Sequence, residues 1–165
     1  MRTWGPLRES RWEPQSPPAG EHPGNGVLYA GTNSTTPFGE VFQQRRAVTV
    51  SGSLALAGWA PTRALSLLDL TSGWPVRNKA SASLHAAPKS TCRNWAHAIR
   101  NTWPELDGLF VQSTITGTAM VVLFAPAVDS FPAGPQFWHR LSDPSIAPLV
   151  VAAADDLGWP IRALA

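Results

Sequence analysis

Sixteen prolines in a chain of 165 residues constrain this fold more than any other feature of the sequence. Proline fixes its own φ and has no amide hydrogen, so it belongs in connections and at element starts, not inside helices or central strands. A chain so rich in proline must be assembled from short elements joined by many irregular links. An apolar fraction of 44% against 15% charged residues still leaves material for a packed core. Such a composition belongs to a globular chain and not to a disordered one. The length suits a single domain over residues 1–165.

Several function classes can be set aside on composition and motif. Thirteen Lys and Arg against eleven Asp and Glu give a net charge of +2, and the basic residues are scattered. Direct nucleic-acid binding usually needs a clustered basic patch, so it is not expected. The single cysteine, Cys92, has no internal disulfide partner, which fits a reducing compartment. No apolar run is long enough to cross a membrane, and the first residues lack the apolar core of a secretory signal, so a cytoplasmic protein is expected. No phosphate-binding P-loop is present, and Gly24-Asn25-Gly26 is followed by Tyr29 where a dinucleotide fingerprint would need glycine. His22, His85, His97 and His139 are far apart and lack metal-ligand spacing, so no metal site is expected. His97 reads as a solvated residue on its helix.

Along the chain, residues 1–26 carry five prolines and read as an extended, loop-like segment docked by Trp4 and Trp12. VLYA, Val27–Ala30, reads as a short strand. Thr36-Pro37 suits a helix start, with Thr36 as cap and Phe38, Val41 and Phe42 as the buried stripe. Glu40 lies about 200° around that helix from Phe38 and so faces solvent or a cleft. Leu65–Leu70 reads as a buried strand, and a helix capped by Ser90 or Thr91 would bury Cys92, Trp95, Ala96 and Ile99. Leu109–Val111 and Met120–Phe124 read as strands joined through TITGTA, and helical patterns span Gln136–Leu141 and Ser145–Leu157, the latter closed by Gly158. Strands and helices mix without regular alternation, so an α+β domain with a small mixed or antiparallel sheet and flanking helices is expected.

Polar residues at the ends of these apolar segments are the candidates for chemistry. Arg8 and Arg11 precede a Trp-Glu-Pro turn, Tyr29 closes a strand, Glu40 projects from a helix, and Ser113 ends GLFVQ. Each alone is more often structural. Together they offer guanidinium groups for a diphosphate, an aromatic surface for a ring, and a carboxylate for a cationic sugar.

The ordered set R-W-x-P (Arg11–Pro14), VLYAG (27–31) and GEVF (39–42) resembles the RES domain family. LSLLDLTSGW (65–74), RNWAHAI (93–99) and ELDGLFVQS (105–113) extend the likeness. That resemblance implies an ADP-ribosyltransferase-like fold and a toxin that consumes NAD⁺ as a substrate, with no resident cofactor. It implies catalytic roles for Glu40, Tyr29 and Arg11, and substrate-binding roles for Arg8 and Ser113, with Ser113 either bonding the nicotinamide end or holding Glu40 in place. A neighbouring helix-turn-helix (Xre-like) antitoxin is the implied partner, with a homodimer as a further expectation. Relatives carry an arginine on an earlier strand; here Arg2 is the sole candidate for it, and either the reading frame starts upstream or one phosphate-binding arginine is missing. The acceptor could be water, phosphate or a protein side chain. An inactive RES-like partner-binding protein and an unrelated ligand-binding α+β domain are the other readings open at this stage.

Overall fold

The computed structural model describes residues 1–163. The first strands, β1 (Trp4–Gly5) and β2 (Gly20–Glu21), form a short antiparallel pair. Next come β3 (Val27–Gly31), α1 (Thr35–Phe42), β4 (Val48–Val50), β5 (Ala55–Gly58) and β6 (Leu67–Asp69). The short α2 (Trp74–Arg77) and the longer α3 (Lys89–Thr102) lead into the hairpin of β7 (Gly108–Gln112) and β8 (Ala119–Phe124). The chain ends with β9 (Phe137–Arg140), α4 (Ala147–Leu157) and β10 (Ile161–Ala163). This is an α+β domain around a mixed four-stranded sheet in the order β3-β8-β7-β6, in which only β6 and β7 run parallel.

The sheet's period-two alternation puts Val27, Leu109, Val111, Met120, Val122 and Phe124 on one buried face. Against it lie Trp12, Leu84 and the α3 stripe of Cys92, Ala96 and Ile99, as the helical spacing predicts. A second cluster joins Phe38 and Phe42 of α1 to Val48 and to Val150, Ala153 and Ala154 of α4. Gly158, at φ 64°, ends α4 in the left-handed conformation expected of it.

Several expectations fail for identifiable reasons. Gln136–Leu141 is not helical: it contains β9, paired antiparallel with β5. Phe137 and Leu141 are four apart, a spacing that shares a face in a strand as well as in a helix. Val41 is exposed, because the buried arc of α1 runs through Thr36, Phe38, Gly39 and Phe42. Thr36 is not the cap either; it is buried, and Asn33 Oδ1 accepts both its amide and its hydroxyl at 2.9 Å. Leu67 and Leu68 are only half-buried, since β6 is the outer strand of its sheet. The N-terminal segment is not wholly irregular, and of its two tryptophans Trp12 is buried while Trp4 is exposed. Pro88, not Ser90 or Thr91, stands at the start of α3. His97 is half-buried, with Nδ1 3.2 Å from the carbonyl of Pro14.

One ion pair closes the end of the sheet. Buried Asp107, just before β7, accepts Arg63 Nη1 and Nη2 at 2.7 and 2.8 Å and the Ser66 amide at 2.8 Å. The guanidinium hydrogen bonds hold the Asp107 carboxyl below its ordinary value. A carboxyl whose folded pKa is lowered adds stability above its unfolded pKa, near about 4, and loses it as pH falls toward the folded value. Thermal melts should therefore show a steeper fall below about pH 4 for the parent than for Asp107→Asn. Parallel curves for the two proteins would contradict this role.

Candidate functional site

Four of the five sequence candidates meet on one side of the sheet. Tyr29 comes from β3, Glu40 from α1, and Arg11 from the segment anchored by Trp12. All three line a cavity of about 210 Å³. Ser113, at the end of β7, lies buried directly beneath Glu40. Arg8 is exposed and is not part of the cavity lining.

The Glu40–Ser113 contact is tightly specified. Ser113 Oγ accepts the amides of Ile115 and Thr116, each at 3.1 Å. A hydroxyl has two acceptor positions and one proton. With both acceptors filled, the proton goes to Glu40 Oε1, at 2.6 Å. Gln43 Nε2 approaches the other carboxylate oxygen at 3.4 Å. Glu40 is thus held from two sides while remaining half-exposed to the cavity, and Ser113 has no group left over for a ligand.

Arg11 donates through Nη1 to the carbonyl of Ala87 at 2.5 Å. Its segment is tied to α3 by Arg93, whose Nη1 donates to the carbonyls of Arg8 and Ser10 at 2.8 and 3.0 Å. Lys89, at the first turn of α3, adds a second cation to the cavity wall. Cys92 lies beneath: burial pushes its thiol up, Arg11 partly offsets this, and Sγ donates to the Leu84 carbonyl at 3.3 Å. It is a core residue, not a nucleophile.

Tyr29 also borders a second, larger cavity of about 710 Å³, lined by β3, β5 and apolar side chains such as Trp59 and Phe137. Its hydroxyl is engaged by the protein, accepting the Trp12 amide at 3.1 Å and donating to Glu13 at 3.0 Å. Arg2 does not enter the cleft, because its guanidinium is engaged by Glu13. Glu13, Lys89, Gln43 and Arg93 are absent from the sequence candidates. A lone glutamate between tryptophan and proline gives no sign that its cation lies eleven residues upstream. Among the described residues, no group of three or more His, Cys, Asp and Glu could hold a metal ion. No helix among them is long and apolar enough to cross a membrane.

In this α+β domain an anchored carboxylate, a guanidinium and an aromatic residue thus line one cavity of mixed charge. The RES domain model matches residues 2–142, and the chain belongs to the RES domain family. That family is associated with NAD⁺ consumption by toxins of toxin–antitoxin pairs. No curated protein and no solved structure matches the chain.

Proposed function

We propose that this chain is a RES-type toxin that cleaves the nicotinamide–ribose bond of NAD⁺. The observation that carries the reading is Glu40, held by Ser113, on the wall of the cavity that Arg11 and Tyr29 also line. Breaking the C1′–N bond sends its electron pair to the nicotinamide ring, whose positive charge is thereby neutralised. No general acid is needed for that departure. The ribose becomes oxocarbenium-like, and a fixed carboxylate gains attraction as that charge develops. In this reading Arg11 pairs with the diphosphate, and Lys89, which also lines the cavity, serves as the second cation in place of Arg8. Tyr29 supplies a ring surface.

A space of about 210 Å³ holds one ring-and-sugar portion, whereas ligand pockets for larger molecules run to several hundred cubic ångströms, so the rest of the dinucleotide would extend out of the smaller cavity. With water as acceptor, the products are ADP-ribose, nicotinamide and one proton. Phosphate or a protein side chain would take the ribosyl group in the same way. A helix-turn-helix antitoxin that covers this cleft is the partner the reading calls for.

Purified protein incubated with NAD⁺ should release nicotinamide in step with NAD⁺ loss. Runs in water, in phosphate and with added protein acceptor identify the acceptor from the ribosyl product. Folded protein that leaves NAD⁺ intact in all three would overturn the reading.

A further inference from the structure

The phenol of Tyr29 is held by a buried carboxylate, Glu13, that is backed in turn by the partly exposed Arg2. Glu13 is fully buried and faces Arg2 Nη2 at 2.6 Å from both its carboxylate oxygens. The Leu7 amide adds a longer contact at 3.4 Å. Arg2 Nη1 bonds the carbonyl of Trp4, and the Arg2 backbone exchanges two 2.9 Å hydrogen bonds with Val27, two residues before Tyr29. The ion pair, the N-terminal segment and β3 are therefore one rigid piece.

Stability alone is a poor account of this arrangement. Burying Glu13 costs its full desolvation, with part of that cost falling on the one-third exposed Arg2, and a well-packed apolar replacement of such a pair is often equally stable. What an apolar pair would not supply is an acceptor for a buried phenol. Glu13 Oε1 provides it at 3.0 Å.

We propose that Glu13, backed by Arg2, is a positioning residue that fixes the Tyr29 ring on the wall of the smaller cavity and commits its hydroxyl to the protein rather than to a ligand. Tyr29 then meets a substrate as an aromatic surface only, which suits a flat ring or the apolar face of a sugar and provides no hydrogen bond. Arg2 is accordingly spent within the scaffold and is no part of anion recognition. The inference rests on the NAD⁺ reading for its effect on turnover, and on geometry alone for its effect on Tyr29.

Tyr29 is the sole tyrosine of the chain, so tyrosinate absorbance reports this one residue. Glu13 and Arg2 are the charged groups at the hydroxyl, while Arg11, Glu40, Glu9 and Lys89 line the smaller cavity together with Tyr29. Burial first, then the Glu13 carboxylate, keeps the phenol well above its ordinary value. In Glu13→Gln, shown to be folded by circular dichroism, the tyrosinate signal should appear at lower pH than in the parent. An unchanged titration in the folded variant overturns the proposal, whatever the protein does to NAD⁺. On turnover, Glu13→Gln and Tyr29→Phe should each cost roughly 10–100-fold in kcat/KM, as expected of a misplaced contact. The double variant should be no worse than either, because both act through one contact. Additive losses would make Glu13 a structural residue unrelated to the ring. Should Glu13→Gln not fold, Tyr29→Phe decides: full turnover without the hydroxyl overturns the proposal, and the stated loss supports it.

Discussion

Glu40→Gln will lower NAD⁺ turnover about 10²–10³-fold while the protein melts within a degree or two of the parent. The substitution is chosen for what it preserves. Glutamine keeps a side-chain oxygen to accept the Ser113 proton, so the saturated hydroxyl beneath it is not left unpaired. Nothing in the α1 core changes, because Phe38, Phe42, Gly39 and Thr36 bury the opposite arc of the helix. A half-exposed site of this kind shifts stability by no more than about 0.5 kcal/mol. What is lost is the negative charge, whose attraction for the ribosyl cation is greatest in the transition state; removing one such interaction costs roughly 3–4 kcal/mol. Nicotinamide release measured beside a thermal melt separates the two quantities. A normal melt with near-parental turnover would remove Glu40 from the mechanism.

Gly108→Ala will have the largest effect on stability. A Cβ built at Gly108 would lie 2.1 Å from the carbonyl oxygen of Val122 and 3.0 Å from the Cα of Leu123. Both are backbone atoms of β8, the neighbour of β7 inside the four-stranded sheet, and neither can swing aside as a side chain could. The two strands must move apart at the point where Asp107 and Arg63 close the sheet. Overpacking commonly costs 1–3 kcal/mol, and about 3 kcal/mol or more is expected against an immovable backbone. Gly134→Ala, where a Cβ meets nothing within 4 Å, is the matched control. Urea unfolding should show a greatly reduced midpoint, or insoluble protein, for the first and a parental midpoint for the second. Equal midpoints would show that β7 and β8 tolerate the wider spacing.

The sequence made the elements with strong, local periodicity readable. The α3 stripe of Cys92, Ala96 and Ile99 and the apolar runs of β7 and β8 carry their period within a few residues. β4, β5 and β10 are three or four residues long, too short for any period to register, and exist through pairing with distant partners. The same limit separates the parts of the cleft. Tyr29 and Glu40 are legible through the VLYAG and GEVF stretches that carry them, although β3 runs on past Tyr29 to Gly31 and does not close there. That Ser113 touches Glu40 is a contact across 73 positions, and that Arg2 is bound to Glu13 depends on how a proline-rich segment folds back on β3. Arg8 and Arg11 carry the same charge three residues apart, and only Arg11 stands in the R-W-x-P order; the path of the loop, pinned by Arg93, leaves Arg8 in solvent while Arg11 lines the cavity.

The anchoring of Glu40 by Ser113 also sets when, during synthesis, the cleft can exist. Arg11, Tyr29 and Glu40 leave the ribosome early, but β3 has its sheet partner only in β8, and Glu40 has its hydroxyl donor only at the head of the β7–β8 link. At ordinary translation rates, the interval between Glu40 and Phe124 is roughly 4–17 s. Throughout that interval the nascent chain carries the cleft residues without the support that orders them. On the proposed reading, a chain interrupted before Ser113 would be inactive, and an antitoxin made alongside would have those seconds in which to arrive before the first turnover.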